Sequence, residues 1–282
     1  MRIGVSSYSF RKYQKSTGCS YTHLCDKAKE LGFEGIEFIG LKTKDDLREA
    51  EEIRRHCIEI GLPIVAYTVS ANLQSEDLGA EIERLKRCVD VAEALGAPVM
   101  RHDVASALRA IEGYTWENAI GDMVPAIIEI TEYAAAKGIR TCSENHGKLF
   151  QDSERVERLI RAVDHENYGW LVDMGNFLCV DEEPLSAVRR ATPYAIHAHA
   201  KDFLYHIVKE GVPTPEGYFA TRNGNLLRGT VLGHGIVPIA DCVKALREGG
   251  YDGWLSIEFE GMEENLPALS AGLAYLRKVT DA

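Results

Sequence analysis

One pattern of apolar and polar positions recurs along the chain: an amphipathic stretch, a glycine, then a short apolar run. It appears as Ala28-Lys29-Glu30-Leu31-Gly32 before Gly35-Ile36-Glu37-Phe38-Ile39, and as Ile58-Glu59-Ile60-Gly61 before Ile64-Val65-Ala66-Tyr67. It returns at Gly96 before Pro98–Arg101, at Gly138 before Ile139–Cys142, and at Gly249-Gly250 before Trp254–Ile257. The glycine stands where a helix ends in a left-handed residue. Each run after it has the length and branching of a buried parallel strand. The opening segment near Ile3 and the runs Trp170–Asp173 and Ala195–His199 raise the count to eight strands, spaced about 35 residues apart over 282 residues. Between them lie helical faces, such as Ile82, Leu85, Val89 and Ala92, and more loosely Ile127, Ile128, Ile130 and Tyr133.

Eight strands alternating with helices predict an α/β fold of the (β/α)8 TIM-barrel type, a single domain over residues 1–282. An open doubly wound sheet is the alternative, weakened because no Gly-x-Gly-x-x-Gly follows the first strand. The rhythm breaks once. From Phe203 to Gly235 no helix is visible, and Val212-Pro213-Thr214-Pro215-Glu216-Gly217-Tyr218 and Arg222-Asn223-Gly224-Asn225 are turn signals. A long loop after the seventh strand would lie over the catalytic face of a barrel, so 203–235 is expected to be an active-site loop. Tyr205, His206, Tyr218, Phe219 and Arg222 would form its lid.

Composition narrows the partners. Hydrophobic residues make up 45% and charged residues 27%, which excludes a disordered or fibrous chain. No apolar run approaches the roughly 18 residues of a membrane helix, and the first residues lack a signal-peptide pattern, so no membrane partner is expected. The net charge of −11 lacks the footprint of a nucleic-acid binder. Seven scattered cysteines without a Cys-x-x-Cys pair suit a reduced, cytoplasmic protein.

Barrel chemistry sits where strands end. Here four successive strands end in Cys142-Ser143-Glu144-Asn145-His146, Leu171-Val172-Asp173-Met174-Gly175-Asn176, His197-Ala198-His199-Ala200-Lys201-Asp202 and Ser256-Ile257-Glu258-Phe259-Glu260. Converging carboxylates repel one another and are costly to desolvate. A divalent cation removes that cost, and Glu144, Asp173, His199 and Glu258 form a three-oxygen, one-nitrogen set for it. Mn²⁺ is the first expectation, with Mg²⁺, Co²⁺ and Zn²⁺ also compatible. His197 lies one layer deeper than His199 and is expected to be a hydrogen-bonded core residue.

At these residues the chain resembles the xylose isomerase-like sugar phosphate isomerase/epimerase superfamily. The matching pieces are Ser6-Ser7-Tyr8-Ser9-Phe10, Gly32-Phe33-Glu34-Gly35-Ile36-Glu37, Glu144-Asn145-His146, Asp173-Met174-Gly175-Asn176, His197–Asp202 and Gly250–Glu258, in family order over essentially the whole chain. The resemblance implies that Glu144, Asp173, His199 and Glu258 are metal ligands, that Glu144 and Glu258 are also the catalytic acid/base pair, and that His146 faces substrate. One position departs: ketose 3-epimerases usually carry histidine where this chain has Asn176, which can hydrogen-bond a hydroxyl but not exchange protons near neutral pH.

Further substrate contacts are expected from Arg101 and His102 at the fourth strand end, Glu37 at the second, and Lys201 as an electrostatic helper. A structural ion pair is the competing reading for Arg101 and His102. Tyr8, Phe10 and Tyr67 could stack on a sugar or simply pack. The leading function is a sugar isomerase or epimerase acting on a keto-sugar or polyol ketone through a metal-stabilised enediolate. A lyase on the same scaffold, dehydrating an inosose or eliminating from a 3-keto-glycoside, is the second reading. A nuclease like endonuclease IV and a non-catalytic sugar-binding subunit follow. The expected partner is a small carbohydrate, and a homo-oligomer is given a modest edge.

Overall fold

The computed structural model describes residues 1–208, 211 and 213–281. Eleven strands occur in it: β1 (Arg2–Ser6), β2 (Gly35–Ile39), β3 (Ile64–Val69), β4 (Val99–His102), β5 (Arg140–Glu144), β6 (Tyr168–Asp173), β7 (Ala195–Ala200), β8 (Asp202–His206), β9 (Phe219–Ala220), β10 (Leu226–Thr230) and β11 (Trp254–Ile257). β1 to β7 and β11 close into a parallel barrel in the order β1-β11-β7-β6-β5-β4-β3-β2. All eight strands read from the sequence are in it. Helices from Tyr21–Leu31 to Asn265–Thr280 pack neighbour on neighbour around it, and the last meets the first. The helix-ending glycines Gly32, Gly61, Gly96, Gly138 and Gly250 all take positive φ, between 64° and 93°.

Closure makes strand parity decisive, because alternate residues point into the barrel. At its lower end Ala66, Val99, Cys142 and Leu171 form a small apolar plug, joined by Ile196. Two residues further along β4, β5 and β6 the same face presents Arg101, Glu144 and Asp173. The opposite face packs on the helices through Met100, Trp170 and Val172, all fully buried. An apolar plug below and helices outside leave the charged layer one exit, the mouth at the strand ends.

The segment expected to be irregular is instead a small antiparallel sheet, β8-β10-β9. Leu226 pairs with His206 and Thr230 with Asp202. Its strands are short and separated by Pro- and Gly-rich turns, so local periodicity hid them; pairing 20 residues apart created them. The Asp202 carboxylate then accepts N–H groups from Gly233, Gly235 and Val237 at 2.9, 2.9 and 3.0 Å, returning the chain to the barrel. Val212, one of the turn-signal residues, lies outside the described residues. No helix among the described residues is long and apolar enough to cross a membrane.

Candidate metal centre

Glu144, Asp173, His199 and Glu258 meet at the barrel mouth, each offering one ligand atom within 4.8 Å of the others. His199 Nδ1 lies 3.6 Å from Asp173 Oδ2, 3.8 Å from Glu258 Oε2 and 3.9 Å from Glu144 Oε1. Asp173 Oδ2 and His199 Nδ1 are buried without a hydrogen-bond partner. A buried polar atom left unpaired costs about 1–3 kcal/mol. Two such atoms facing two further carboxylates fit a divalent cation, with three oxygens and one imidazole nitrogen as donors.

Each ligand is held from behind. Asp173 Oδ1 accepts the N–H groups of Gly175 (2.8 Å) and Asn176 (2.9 Å), while Oδ2 makes no hydrogen bond and has the Lys201 ammonium 3.3 Å away. A Cβ on Gly175 would come within 2.8 Å of the Lys201 carbonyl oxygen, so this tight turn needs glycine. Asn145 brackets the Asp173 backbone: its Nδ2 donates to the Asp173 carbonyl at 2.8 Å, and its Oδ1 accepts the Asp173 N–H at 3.0 Å. The same Oδ1 accepts Trp170 Nε1–H at 3.2 Å. Against the cost of burial, Lys201 and His199 hold the Asp173 carboxyl down to about 2.

Behind His199 stands Glu37. Its Oε1 is 2.8 Å from His199 Nε2, and its Oε2 is 2.7 Å from His197 Nε2. His197 Nε2 also lies 3.1 Å from Ser256 Oγ, so His197 is the hydrogen-bonded core residue expected. Glu37 is fully buried beneath the floor and does not line the cavity, which corrects the expectation of a substrate contact. Burial opposes charge on Glu37, but His199 and His197 outweigh it and hold the carboxyl well below its usual range. Burial likewise opposes charge on His199, and the Glu37 and Glu258 carboxylates overcome it. With Nε2 turned to Glu37, Nδ1 is presented to the site. Glu37→Gln is therefore expected to weaken divalent-cation binding by about 10–100-fold. Competition against a chromophoric chelator reads this directly, and unchanged affinity would remove Glu37 from the centre.

Above the floor opens a cavity of about 570 Å³. Arg101 contacts Glu144 Oε2 at 2.5 Å and Asp103 Oδ1 at 2.8 Å, so it is both a cavity residue and an ion pair. Lys201 Nζ lies 2.5 Å from Glu258 Oε2 and 3.3 Å from Asp173 Oδ2. Asp173, Glu258 and Glu260 raise the Lys201 ammonium well above its usual range although burial works the other way. Burial pushes the Glu144 carboxyl up, ahead of the opposing pull of Arg101. His146 lines the cavity and its Nδ1 contacts Asp103 Oδ1 at 2.9 Å, which raises the imidazole above its usual value against burial. Asn176 is buried behind Glu144, donating from Nδ2 to Oε1 at 2.8 Å, and does not itself line the cavity.

His102 does not reach the cavity. It follows Arg101 on β4 and so faces outward, where its Nδ1 bonds the Asp103 carbonyl at 2.8 Å. Tyr8 and Tyr67 line the cavity, whereas Phe10 is core. None of the described residues of 203–235 lines it. Arg222 instead binds the Asp152 carboxylate at 2.9 Å and the Lys148 carbonyl, while Lys148 Nζ donates to the Ala220 carbonyl. Asp103, Glu260 and Asn145 are the site residues that sequence reading left without a role. Asp103 comes directly after Arg101-His102, and Asn145 lies between Glu144 and His146, so adjacency was their only local signal.

The profile of the xylose isomerase-like TIM barrel matches residues 25–279. The chain belongs to that family. Among curated members of similar sequence is an inosose dehydratase of Bacillus thuringiensis, 28% identical over 267 residues, covering 89% of this chain and 84% of the relative. The IOLI protein, whose crystal structure holds a zinc atom, superposes with a TM-score of 0.76 at 15% identity, over 100% of this chain and 98% of that one. A D-psicose 3-epimerase crystallised in the presence of D-fructose gives 0.74 at 18% identity, over the whole of both chains. At those identities the two structures share the fold with this barrel. Within this enzyme family, the curated relative is named for a lyase and the second structure for an epimerase.

Proposed function

We propose that this family member is a divalent-cation-dependent lyase of the dehydratase type, acting on a polyol ketone such as an inosose. The carrying observation is that the two glutamates are unequal. Glu144 is engaged at both oxygens, by Asn176 and by Arg101. Glu258 touches Lys201, and its side chain keeps 13% exposure toward the cavity. Glu144 thus has both oxygens engaged and Glu258 only Oε2, at Lys201, which leaves Glu258 Oε1 for a substrate proton, an arrangement suited to a single base.

Glu144, Asp173, His199 and Glu258 would hold the cation, Mn²⁺ before Mg²⁺, Co²⁺ or Zn²⁺ because three donors are carboxylate oxygens. A cation held there would supply Lewis-acid polarisation of the ketone. Glu258 removes the proton from the carbon beside the ketone, with Lys201 balancing its charge. His146, oriented through Nδ1 by Asp103, has Nε2 left to protonate the departing hydroxyl. Arg101 and Lys201 provide fixed positive charge for the substrate oxygens. The seven cysteines are all free thiols, which supports a reducing, cytoplasmic setting.

Epimerisation or isomerisation is the second reading. Two carboxylates, Glu144 and Glu258, both reach the centre, 3.9 and 3.8 Å from His199 Nδ1, and a two-base exchange would use one to remove the proton and the other to return it. Incubating a panel of inososes, ketoses and keto-glycosides in D2O with added Mn²⁺ separates the readings. The lyase is expected to give an unsaturated or diketone product with new ultraviolet absorbance and little deuterium in recovered substrate. Deuterium washed into recovered sugar without that product would establish the epimerase reading instead.

A further inference from the structure

Three exposed cations line one cavity on the β1–β2 side of the mouth, and two of them, Arg11 and Lys15, also line a neighbouring cavity with Lys12 and Glu260. Arg11 and Lys15 come from the helix Arg11–Thr17, and Lys42 from the loop after β2. They line a cavity of about 270 Å³, none of whose lining residues is Asp or Glu. Ile39, Gly40 and Lys42 line this cavity and the 570 Å³ cavity over the metal centre, so the two share a wall. The Arg11 guanidinium lies 4.7 Å over the ring of Tyr8, and Tyr8 lines the larger cavity. The Lys42 backbone N–H donates to the Tyr21 hydroxyl at 3.0 Å, which fixes the loop that carries it.

Arg84 and Arg87, which line the larger cavity, are answered by Glu81 at 2.8 Å and Asp46 at 2.7 Å. Arg11, Lys15 and Lys42 take part in no ion pair among the described residues, in a chain with 43 acidic and 32 basic residues. Unanswered like charges repel across a cavity, and an anion seated among them reverses the sign of that interaction. A guanidinium with two ammonium groups suits a phosphate or a carboxylate, the first through its planar fork and the others as point charges.

We propose that the unreacting end of the substrate carries an anionic group, a phosphate ester or a carboxylate, seated among Arg11, Lys15 and Lys42. The substrate is then an elongated molecule, with its ketone at the carboxylate floor and its charge on the basic side. This deepens the polyol-ketone reading and rests on it.

Two measurements test the proposal separately from that reading. The first is calorimetric titration with inorganic phosphate and with succinate, on cation-loaded protein and again after chelation. One of the two is expected to saturate on the chelated protein, and its affinity to fall about tenfold or more in the triple variant Arg11→Gln/Lys15→Gln/Lys42→Gln. Whichever saturates names the group. Saturation by neither, or equal binding by the variant, overturns the proposal whatever the reaction proves to be. The second compares kcat/KM for an anionic polyol ketone with that of its neutral parent. Their ratio is expected to fall about tenfold in the variant while kcat on the neutral parent is kept. An unchanged ratio also overturns the proposal. Turnover of no ketone at all would count against the proposed reaction, and the titration would still decide the anion seat.

Discussion

Glu258→Gln is expected to lower turnover by about 10²–10⁴-fold while the protein still retains its divalent cation. The glutamine keeps an oxygen beside Lys201 and the other three ligands, so the centre survives; what disappears is the group that can accept a proton. Its position supports this role. Glu258 follows β11, its N–H donates to the Ala200 carbonyl at 3.1 Å, and its carboxylate lies 2.5 Å from Lys201 Nζ. The measurement pairs kcat on the best ketone of the panel with elemental analysis of the same sample. Turnover within a few-fold of the parent would mean that another group takes the proton. Joint loss of activity and cation would make Glu258 chiefly a ligand.

Trp170→Ala is expected to cost about 3–5 kcal/mol of stability. Trp170 is fully buried between barrel and helices, with the ring of Phe177 edge-on to it at 6.4 Å. Truncation leaves a large cavity at a place where the β-barrel cannot collapse to fill it. The same change also removes the indole N–H from Asn145, the side chain that brackets Asp173. Trp170→Phe separates the two effects. It restores most of the volume, so stability should recover largely, whereas cation affinity should recover less. Urea unfolding and chelator competition on both variants check this. A loss below about 1 kcal/mol in Trp170→Ala would show that the site repacks and that the rigidity assigned to it is absent.

The alternation of helix, glycine and strand located five of the barrel strands, and the runs near Ile3, Trp170 and Ala195 the other three, because both signals rest on interactions between residues a few positions apart. Strand parity carried the reading further. Glu144, Asp173 and His199 follow inward-facing Cys142, Leu171 and His197 by two residues, so their convergence could be anticipated once closure was assumed. Parity also contained the answer for His102, which alternates outward after Arg101. The small sheet β8-β10-β9 escaped because its ladder joins segments whose own pattern is dominated by turn residues.

Local order in the chain thus specified the barrel, the end at which chemistry sits and the four residues that could grip a cation. Which groups stand behind those four was settled by the closed fold. Glu37 and His197 are 160 residues apart and meet across the barrel interior, which places Glu37 beneath His199, 2.8 Å from its Nε2. Arg101 and Asn176 reach Glu144 from the neighbouring strand ends, which makes the two glutamates unequal. Such contacts depend on barrel closure and side-chain direction, and periodicity carries information about neither.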